Sequence, residues 1–329
     1  MTESIQELVH RAALLTQSPD ASADSGAGEF TSGTHTDSTL TRRYKLYVPP
    51  GHSGRALPLV VMLHGCTQDS DDFANGTAMN ERARTQGFFV LYPEQSSDAN
   101  PGRCWNWFKH NHQTRGRGEP ALIASMTQAV MAQYGMDARR VFIAGLSAGG
   151  AMAAIVAAQY PDIFSAVGVH SGLPSDSVRS MSDALSVMRS GETSDVAPAE
   201  TAMDDVARQE ISSASSVVPT IVFHGDRDQT VHPRNGERLI EAALRSATRE
   251  RRSKVRVGVA QVEQGVSADG RRYTRSTHQN EQGATIAEHW VVHGSGHAWS
   301  GGQARGSYTD ARGPDATAEM LRFFLTETN

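Results

Sequence analysis

Residues 140–150, RVFIAGLSAGG, carry the clearest indication of the fold class. Residues 141–144 are continuously apolar, which is typical of a strand covered on both faces of a parallel sheet. The glycines and alanines that follow lead into a predicted helix at 148–159. A serine on so tight a strand-to-helix turn needs small neighbours, because larger side chains would collide there. The stretch therefore predicts an α/β fold that presents Ser147 at the end of a strand.

Apolar runs of the same kind recur along the chain and are separated by helical segments. Strands that alternate with helices imply crossover connections and a mostly parallel central sheet flanked by helices. A hairpin and a closing helix follow near the end of the chain. The predicted strands are 44–48, 59–63, 88–92, 140–144, 166–169, 220–223, 272–277 and 286–292, and the predicted helices are 120–133, 148–159 and 320–325.

Three segments depart from this pattern. Residues 1–16 carry apolar residues at roughly helical spacing and predict a short N-terminal helix, either a frayed end, which we favour, or an oligomerisation arm. Small and polar residues then predict a flexible linker over residues 17–40. The catalytic domain is expected to occupy residues 41–329. Within it, a helical excursion at about 174–216 is either a cap facing the substrate or a surface segment.

Composition narrows the function classes. The chain has 329 residues and a net charge of −5, from 31 Lys+Arg against 36 Asp+Glu, which does not favour a groove for nucleic acid. No run approaches the roughly 18 apolar residues of a membrane-spanning helix. Two cysteines are too few for a Cys-rich zinc site, and no signal peptide is recognisable. We therefore expect a cytoplasmic protein without nucleic-acid or membrane partners, with a secreted mature form and the oligomeric state left open.

A catalytic serine needs two partners, because its hydroxyl is a poor nucleophile at neutral pH. A histidine must act as base, and an acid must fix the tautomer of that histidine. In α/β-hydrolases these residues follow in the order serine, acid, histidine. Two aspartates, Asp226 and Asp228, follow the strand at 220–223, and Asp228 is favoured because it lies further into the loop. The predicted base is His297, which lies in a glycine-rich loop just after the last predicted strand.

Nucleophilic catalysis by a serine also needs backbone N–H donors for the oxyanion of the tetrahedral intermediate. The predicted donors are the N–H of Ala148, beside the nucleophile, and the N–H of Cys66, after the strand at 59–63. Ser147 would attack the substrate carbonyl while His297 takes its proton, and the same histidine would later activate water. No metal or organic cofactor is implied, and activity is expected to fall in acid as His297 becomes protonated.

The order of these motifs resembles the esterases of the poly(3-hydroxybutyrate) depolymerase family, α/β-hydrolases related to feruloyl and acetylxylan esterases. The resemblance covers about residues 42–325. It implies a serine esterase with Ser147, Asp228 and His297 as nucleophile, acid and base, acting on short-chain hydroxyalkanoate oligomers or polyesters. Without a recognisable leader or polymer-binding module, soluble or amorphous esters are expected. The motifs are RYKLYVP (43–49), LHGCTQ (63–68), CWNWF (104–108), GLSAGG (145–150) and GSGHAWSGG (294–302).

The family-like loops add two further expectations. Trp105, Trp107 and Trp299 are predicted to bind substrate, because half-exposed tryptophans suit an apolar acyl chain or a polyester surface; core packing beneath the loops is the alternative. Cys66 and Cys104 could form a disulfide, although a reducing cytoplasm would oppose it. Alternative functions are a feruloyl- or acetylxylan-type carbohydrate esterase and an acyltransferase on the same scaffold. A non-catalytic binding protein is disfavoured because the Ser–Asp–His set is complete.

Overall fold

The computed structural model describes residues 26–37, 40–174, 178, 181–192, 218–250 and 261–326. The predicted helix at 1–16 lies outside these ranges, as does most of the excursion at 174–216. No helix in the described part of the chain has the length and apolar character that a bilayer crossing requires.

The strands account for most of the core. In chain order they are β1 (Glu29–Thr36), β2 (Thr41–Val48), β3 (Leu59–Leu63), β4 (Phe89–Pro93), β5 (Val141–Leu146), β6 (Ala166–His170), β7 (Thr220–Gly225), β8 (Gln261–Val266), β9 (Arg272–Gln279), β10 (Thr285–Val292), β11 (Trp299–Ser300) and β12 (Thr309–Asp310).

Helices connect and cover these strands. They are α1 (Ser70–Thr77), α2 (Met79–Gln86), α3 (Gly118–Tyr134), α4 (Ala148–Gln159), α5 (Met181–Ser190), α6 (Arg234–Glu250) and α7 (Ala316–Thr326), with a short 3₁₀ helix at His110–His112.

Within the described ranges, ten strands form one sheet in the order β1-β2-β4-β3-β5-β6-β7-β10-β9-β8. The six adjacent strands β4, β3, β5, β6, β7 and β10 run parallel to one another. Antiparallel strands flank this group, with β2 beside β4 and β9 beside β10. The predicted mostly parallel sheet is thereby confirmed. Successive side chains of a strand point to opposite faces, so Val61 and Ile143 lie in one apolar core while Val60 and Phe142 lie in the other. The continuous apolar runs follow from burial on both faces.

The structure corrects part of the predicted linker over residues 17–40, of which residues 17–25, 38 and 39 lie outside the described ranges. Residues 29–36 form β1, which pairs antiparallel with β2 from Glu29 opposite Val48 to Thr36 opposite Thr41. The ladder satisfies the backbone groups of this edge strand that face β2, and its other side has no strand partner in the described sheet. The pairing orders the segment with little apolar burial. Its one large apolar side chain, Phe30, packs edge-on against Tyr92 with ring centroids 5.6 Å apart.

The described part of the excursion at 174–216 packs beside α6. Val187 on α5 is fully buried, and its carbonyl accepts a hydrogen bond of 2.8 Å from Asn235 Nδ2. The carbonyl of Met188 accepts a second, of 2.7 Å, from the backbone N–H of His232. These bonds anchor α5 to the segment that leads into α6.

Candidate active site

Ser147 lies on the turn between β5 and α4 in a strained backbone conformation, with φ 57° and ψ −122°. Positive φ is unfavourable for a residue that carries a Cβ, and such strain concentrates at functional sites. The surrounding glycines permit it. A Cβ on Gly145 would collide with the backbone of Gly149, and a Cβ on Gly149 would collide with the carbonyl oxygen of Leu63. The turn also brings Gly149, near the start of α4, against the end of β3.

Asp228 and His297 form a hydrogen-bonded pair beside this turn. The distance from His297 Nδ1 to Asp228 Oδ2 is 2.7 Å. Asp228 Oδ1 accepts two further bonds, from the backbone N–H groups of Thr230 (2.9 Å) and Val231 (2.8 Å). The carboxylate is therefore fixed in orientation. With Nδ1–H donating to Asp228, the neutral ring of His297 keeps its Nε2 as an acceptor.

The charge of Asp228 is stabilised despite its burial. Burial by itself raises the pKa of the carboxyl, but the hydrogen bond and charge of His297 and the N–H of Val231 outweigh it and hold the pKa below its ordinary value. The group is therefore a carboxylate at neutral pH, the form that orients an imidazole and stabilises its protonated state.

Asp226, the other aspartate of the same loop, has a separate set of partners. Its Oδ2 lies 2.9 Å from His293 Nδ1, and its Oδ1 accepts a hydrogen bond from the backbone N–H of Gly294. The loop after β7 thus carries two aspartates, each within hydrogen-bond distance of a histidine from the segment after β10. Only the pair of Asp228 and His297 includes the predicted base.

The three predicted triad residues lie at one edge of the sheet, because β5, β7 and β10 are parallel and their carboxyl ends share that edge. His170, at the end of β6, lies between them. Its carbonyl accepts the N–H of Ser147 at 2.9 Å, and its Nε2 accepts the N–H of Ser300 at 2.9 Å, just beyond His297. Among the described residues, no hydrogen bond joins Ser147 Oγ to His297. In ligand-free hydrolases this bond is often long and tightens when substrate binds.

The two predicted oxyanion donors have no protein acceptor in the described part of the chain. The N–H groups on either side of Cys66 are occupied: Gly65 donates to Gln68 Oε1 at 2.9 Å, and Thr67 donates to a carbonyl at 2.7 Å. A Cβ on Gly65 would lie 3.6 Å from Ser147 Cβ, so this loop lies beside the serine. The N–H of Ala148 is the first of α4, where the helix dipole is positive. Both donors are thus available next to Ser147.

Cys66 and Cys104 form a disulfide in the structure. It ties the loop of the oxyanion donor to the loop that begins with Cys104. By the chain-entropy argument, a closed loop of about 39 residues contributes about 4 kcal/mol to stability. Stable disulfides occur mainly in oxidising compartments, so this bond and the predicted cytoplasmic location oppose each other.

The predicted half-exposure of the three tryptophans is wrong. Trp105, Trp107 and Trp299 are 0%, 3% and 1% exposed. Trp105 Nε1 donates to the carbonyl of His64 at 3.1 Å, and Trp299 Nε1 donates to Thr317 Oγ1 at 3.0 Å. The indole N–H groups of Trp105 and Trp299 are satisfied inside the protein, and all three indoles are packed in the protein interior beneath the loops.

Two buried histidines that the sequence does not distinguish hold the site in place. His64 Nδ1 donates to the carbonyl of Gly65 at 2.7 Å, and its Nε2 accepts the N–H of Gln95 at 3.1 Å. Burial lowers the pKa of His64, and burial with neighbouring histidines lowers the pKa of His170 to about 3. Both rings are therefore neutral supports. Thirteen histidines in the chain give no local signal for such a role, since the partners come from distant segments.

A buried carboxylate organises the loop of Cys104. Glu119, at the start of α3, is fully buried and accepts hydrogen bonds from Asn106 N (2.7 Å), Asn106 Nδ2 (2.8 Å) and Gln95 Nε2 (2.6 Å). Arg42 Nη2 lies 3.5 Å away. Burial raises the pKa of Glu119. The His112 ring, whose Nδ1 lies 3.3 Å from Glu119 Oε2, and the bonds from Gln95 and Asn106 outweigh burial and hold this pKa below its ordinary value.

Glu119→Gln is expected to lower the free energy of unfolding at pH 7 by about 3–5 kcal/mol, because it leaves Arg42 buried without its counter-charge. A carboxyl whose pKa is depressed by folding stabilises the protein above the ordinary value of 4.5, and this contribution disappears as the pH falls through the folded-state value. The difference between parent and variant should therefore shrink below pH 4.5, as measured by urea unfolding. Glu241→Gln, on the exposed surface of α6, is the control; a pH-independent difference would contradict the assignment.

The sequence of this chain matches known esterases. Residues 42–259 match the family model described as Esterase PHB depolymerase. The chain is 38% identical over 196 residues to poly(3-hydroxyalkanoate) depolymerase C of Paucimonas lemoignei. The aligned region covers 59% of this chain and 46% of that protein. It is 29% identical over 180 residues to acetylxylan esterase A of Talaromyces purpureogenus, covering 54% of this chain and 46% of that protein. The chain spans about half the length of these relatives.

A solved structure shares the fold. The acetyl xylan esterase from Aspergillus awamori superposes with a TM-score of 0.64 at 20% sequence identity, covering 89% of this chain and 98% of that chain. This likeness confirms the predicted α/β-hydrolase fold. Since the family match extends over well more than half of the residues, the chain belongs to the Esterase PHB depolymerase family.

Proposed function

We propose that this protein is a serine esterase that hydrolyses short-chain hydroxyalkanoate esters, of the polyhydroxybutyrate type, as oligomers or amorphous polyester. One observation carries the proposal: the strained Ser147 turn and the Asp228–His297 pair lie at the same edge of the sheet. The name of the Paucimonas lemoignei relative supports the substrate class.

The proposed cycle has two steps that share one base. Ser147 Oγ attacks the ester carbonyl while its proton passes to His297 Nε2, and the protonated imidazole is stabilised by Asp228. The C–O bond to the alcohol then breaks, and His297 gives its proton to the leaving oxygen. Water next attacks the acyl-enzyme with its proton passing to His297, and the acid leaves as Ser147 regains the proton.

The backbone completes the proposed site. The oxyanion of each tetrahedral intermediate accepts the N–H groups of Cys66 and Ala148, which have no other acceptor among the described residues. Removal of one such donor typically costs a factor of about 10² to 10³ in rate. The disulfide at Cys66 holds one donor in place, and the first turn of α4 holds the other.

A panel of esters tests the substrate class. We expect the highest kcat/KM for a 3-hydroxybutyrate dimer and measurable turnover of amorphous polyhydroxybutyrate and p-nitrophenyl butyrate. A higher kcat/KM for acetylated xylan or methyl ferulate would instead assign the carbohydrate esterase function that the acetylxylan esterase relatives suggest. Transfer of the acyl group to an added alcohol in preference to water would identify an acyltransferase. Absence of turnover on every ester would refute the proposed function.

A further inference from the structure

Tyr308 is an exposed aromatic residue at the candidate site. Within the described ranges, four large apolar side chains are strongly exposed. Tyr308 is one of them, and the other three are Leu185 on α5 and Val262 and Val266 on β8. Tyr308 is 45% exposed, and its ring centroid lies 6.3 Å from that of His297, with the rings nearly perpendicular. An exposed ring against the proposed catalytic base is in a position to contact whatever the base acts on.

Tyr308 also reaches the loop of the proposed oxyanion donor. Its Oη lies 3.1 Å from Thr67 Oγ1. The hydroxyl of Thr67 donates its own hydrogen to the carbonyl of Cys66 at 2.6 Å, so Tyr308 must be the donor in the bond to Thr67. The phenol thereby contacts both the His297 ring and the residue next to Cys66.

The position of Tyr308 is imposed by its backbone. Its φ of 52° lies in the left-handed region, which costs free energy for a tyrosine and persists only where the surroundings hold it. The Tyr308 carbonyl accepts the N–H of Trp299 at 2.6 Å, and the adjoining residues pair as β11 and β12. The backbone that carries the ring is therefore fixed, which limits the entropy lost when a ligand binds.

Residues 301–308, here called the strap, are bound to α1 and α2 by hydrogen bonds and an ion pair. The N–H of Ser307 donates to Asp72 Oδ1 at 2.8 Å, and the N–H of Gln303 donates to the carbonyl of Gly76 at 2.8 Å. Arg305 pairs with Glu81 on α2. These contacts fix the strap, and with it Tyr308, from the side of α1 and α2, in addition to the bond from Trp299.

We propose that Tyr308 is the wall of the subsite for the leaving alcohol and favours esters whose alcohol part carries an extended apolar frame, such as the second unit of a hydroxyalkanoate dimer. The inference rests on the proposed function, because His297 must protonate the leaving oxygen, which places the alcohol on the His297 side of the scissile bond. An aromatic face there buries the apolar carbons of the alcohol, while the acyl chain extends away from it.

Two substrates with the same acyl group separate this role from a general one. Ethyl 3-hydroxybutyrate and the 3-hydroxybutyrate dimer differ only in the alcohol that leaves. For Tyr308→Ala we expect the ratio of kcat/KM, dimer over ethyl ester, to fall by about 10- to 100-fold, chiefly through KM. Tyr308→Phe keeps the ring and should restore most of the parent ratio. Val262→Ala, an exposed substitution on β8, controls for non-specific effects.

Each other outcome has a defined meaning. An equal loss on both substrates, or no loss on either, would overturn the alcohol-subsite role while leaving the esterase function in place. A ratio that Tyr308→Phe fails to restore would overturn the aromatic wall in the same way. A parent protein that turns over neither ester would instead refute the proposed function, so the two failures are distinguishable.

Discussion

Ser147→Ala is expected to lower kcat/KM for p-nitrophenyl butyrate by about 10⁴-fold or more. The proposed acyl-enzyme cannot form without the hydroxyl, and the variant retains only binding and the oxyanion donors. The small alanine side chain leaves the turn intact, since Ser147 makes its structural bond through the backbone N–H to His170. Steady-state rates at neutral pH measure the loss, and a fluorophosphonate probe should label the parent on Ser147 and leave the variant unlabelled.

Ser246→Ala is the matched control for this experiment. Its hydroxyl bonds to a helix carbonyl on the surface of α6, far in the fold from the Ser147 turn, so its rate should equal that of the parent. Thermal unfolding of all three proteins checks that the fold is retained. Equal rates for Ser147→Ala and the parent would remove the serine mechanism.

Asp228→Asn is expected to lower kcat by about 10³- to 10⁴-fold at neutral pH. An amide N–H₂ in place of Oδ2 would oppose the Nδ1–H of His297 and favour the tautomer whose Nε2 already carries a hydrogen. Such a ring cannot accept the proton of Ser147. Because the pKa of Asp228 lies below its ordinary value, the parent carboxylate is ionised at neutral pH. The full loss of kcat should therefore be measurable there.

Asp226→Asn is the matched control for the assignment of Asp228 as the catalytic acid. This aspartate lies in the same loop and also pairs with a histidine, His293, so the substitution changes the same charge at nearly the same place. We expect a loss of less than about 10-fold, from looser packing of the loop at Gly294. A larger loss for Asp226→Asn than for Asp228→Asn would reverse the assignment of the acid.

Local patterns in the sequence predicted the central features of the fold. The apolar runs that became β3, β5 and β6 are continuous because helices cover both faces of the sheet, and the small residues around Ser147 reflect a clash that depends on the nearest neighbours in the chain. Helix α6 also has a local pattern, because its buried Leu239, Ile240 and Ala247 follow helical spacing.

The features that local patterns missed depend on distant partners. The polar strand β1 exists because β2 offers a complementary ladder, not because its own residues demand burial. The tryptophans are buried because their segments pack over the ends of the sheet strands. There the His64 carbonyl accepts the indole N–H of Trp105, and Thr317 accepts that of Trp299. Tyr308 gave no signal because its role depends on His297 and Thr67.

Patterns among neighbouring residues predict the alternation of strands and helices and the serine turn, and the order of motifs along the chain indicates the three proposed catalytic residues. The pairing of Asp228 with His297, and of Asp226 with His293, depends on the folded loops. So does the identity of the exposed aromatic ring at the site, which is Tyr308 rather than a tryptophan. A side chain's partners and exposure follow from how loops of separate strands pack together, and local sequence patterns carry little information about that packing.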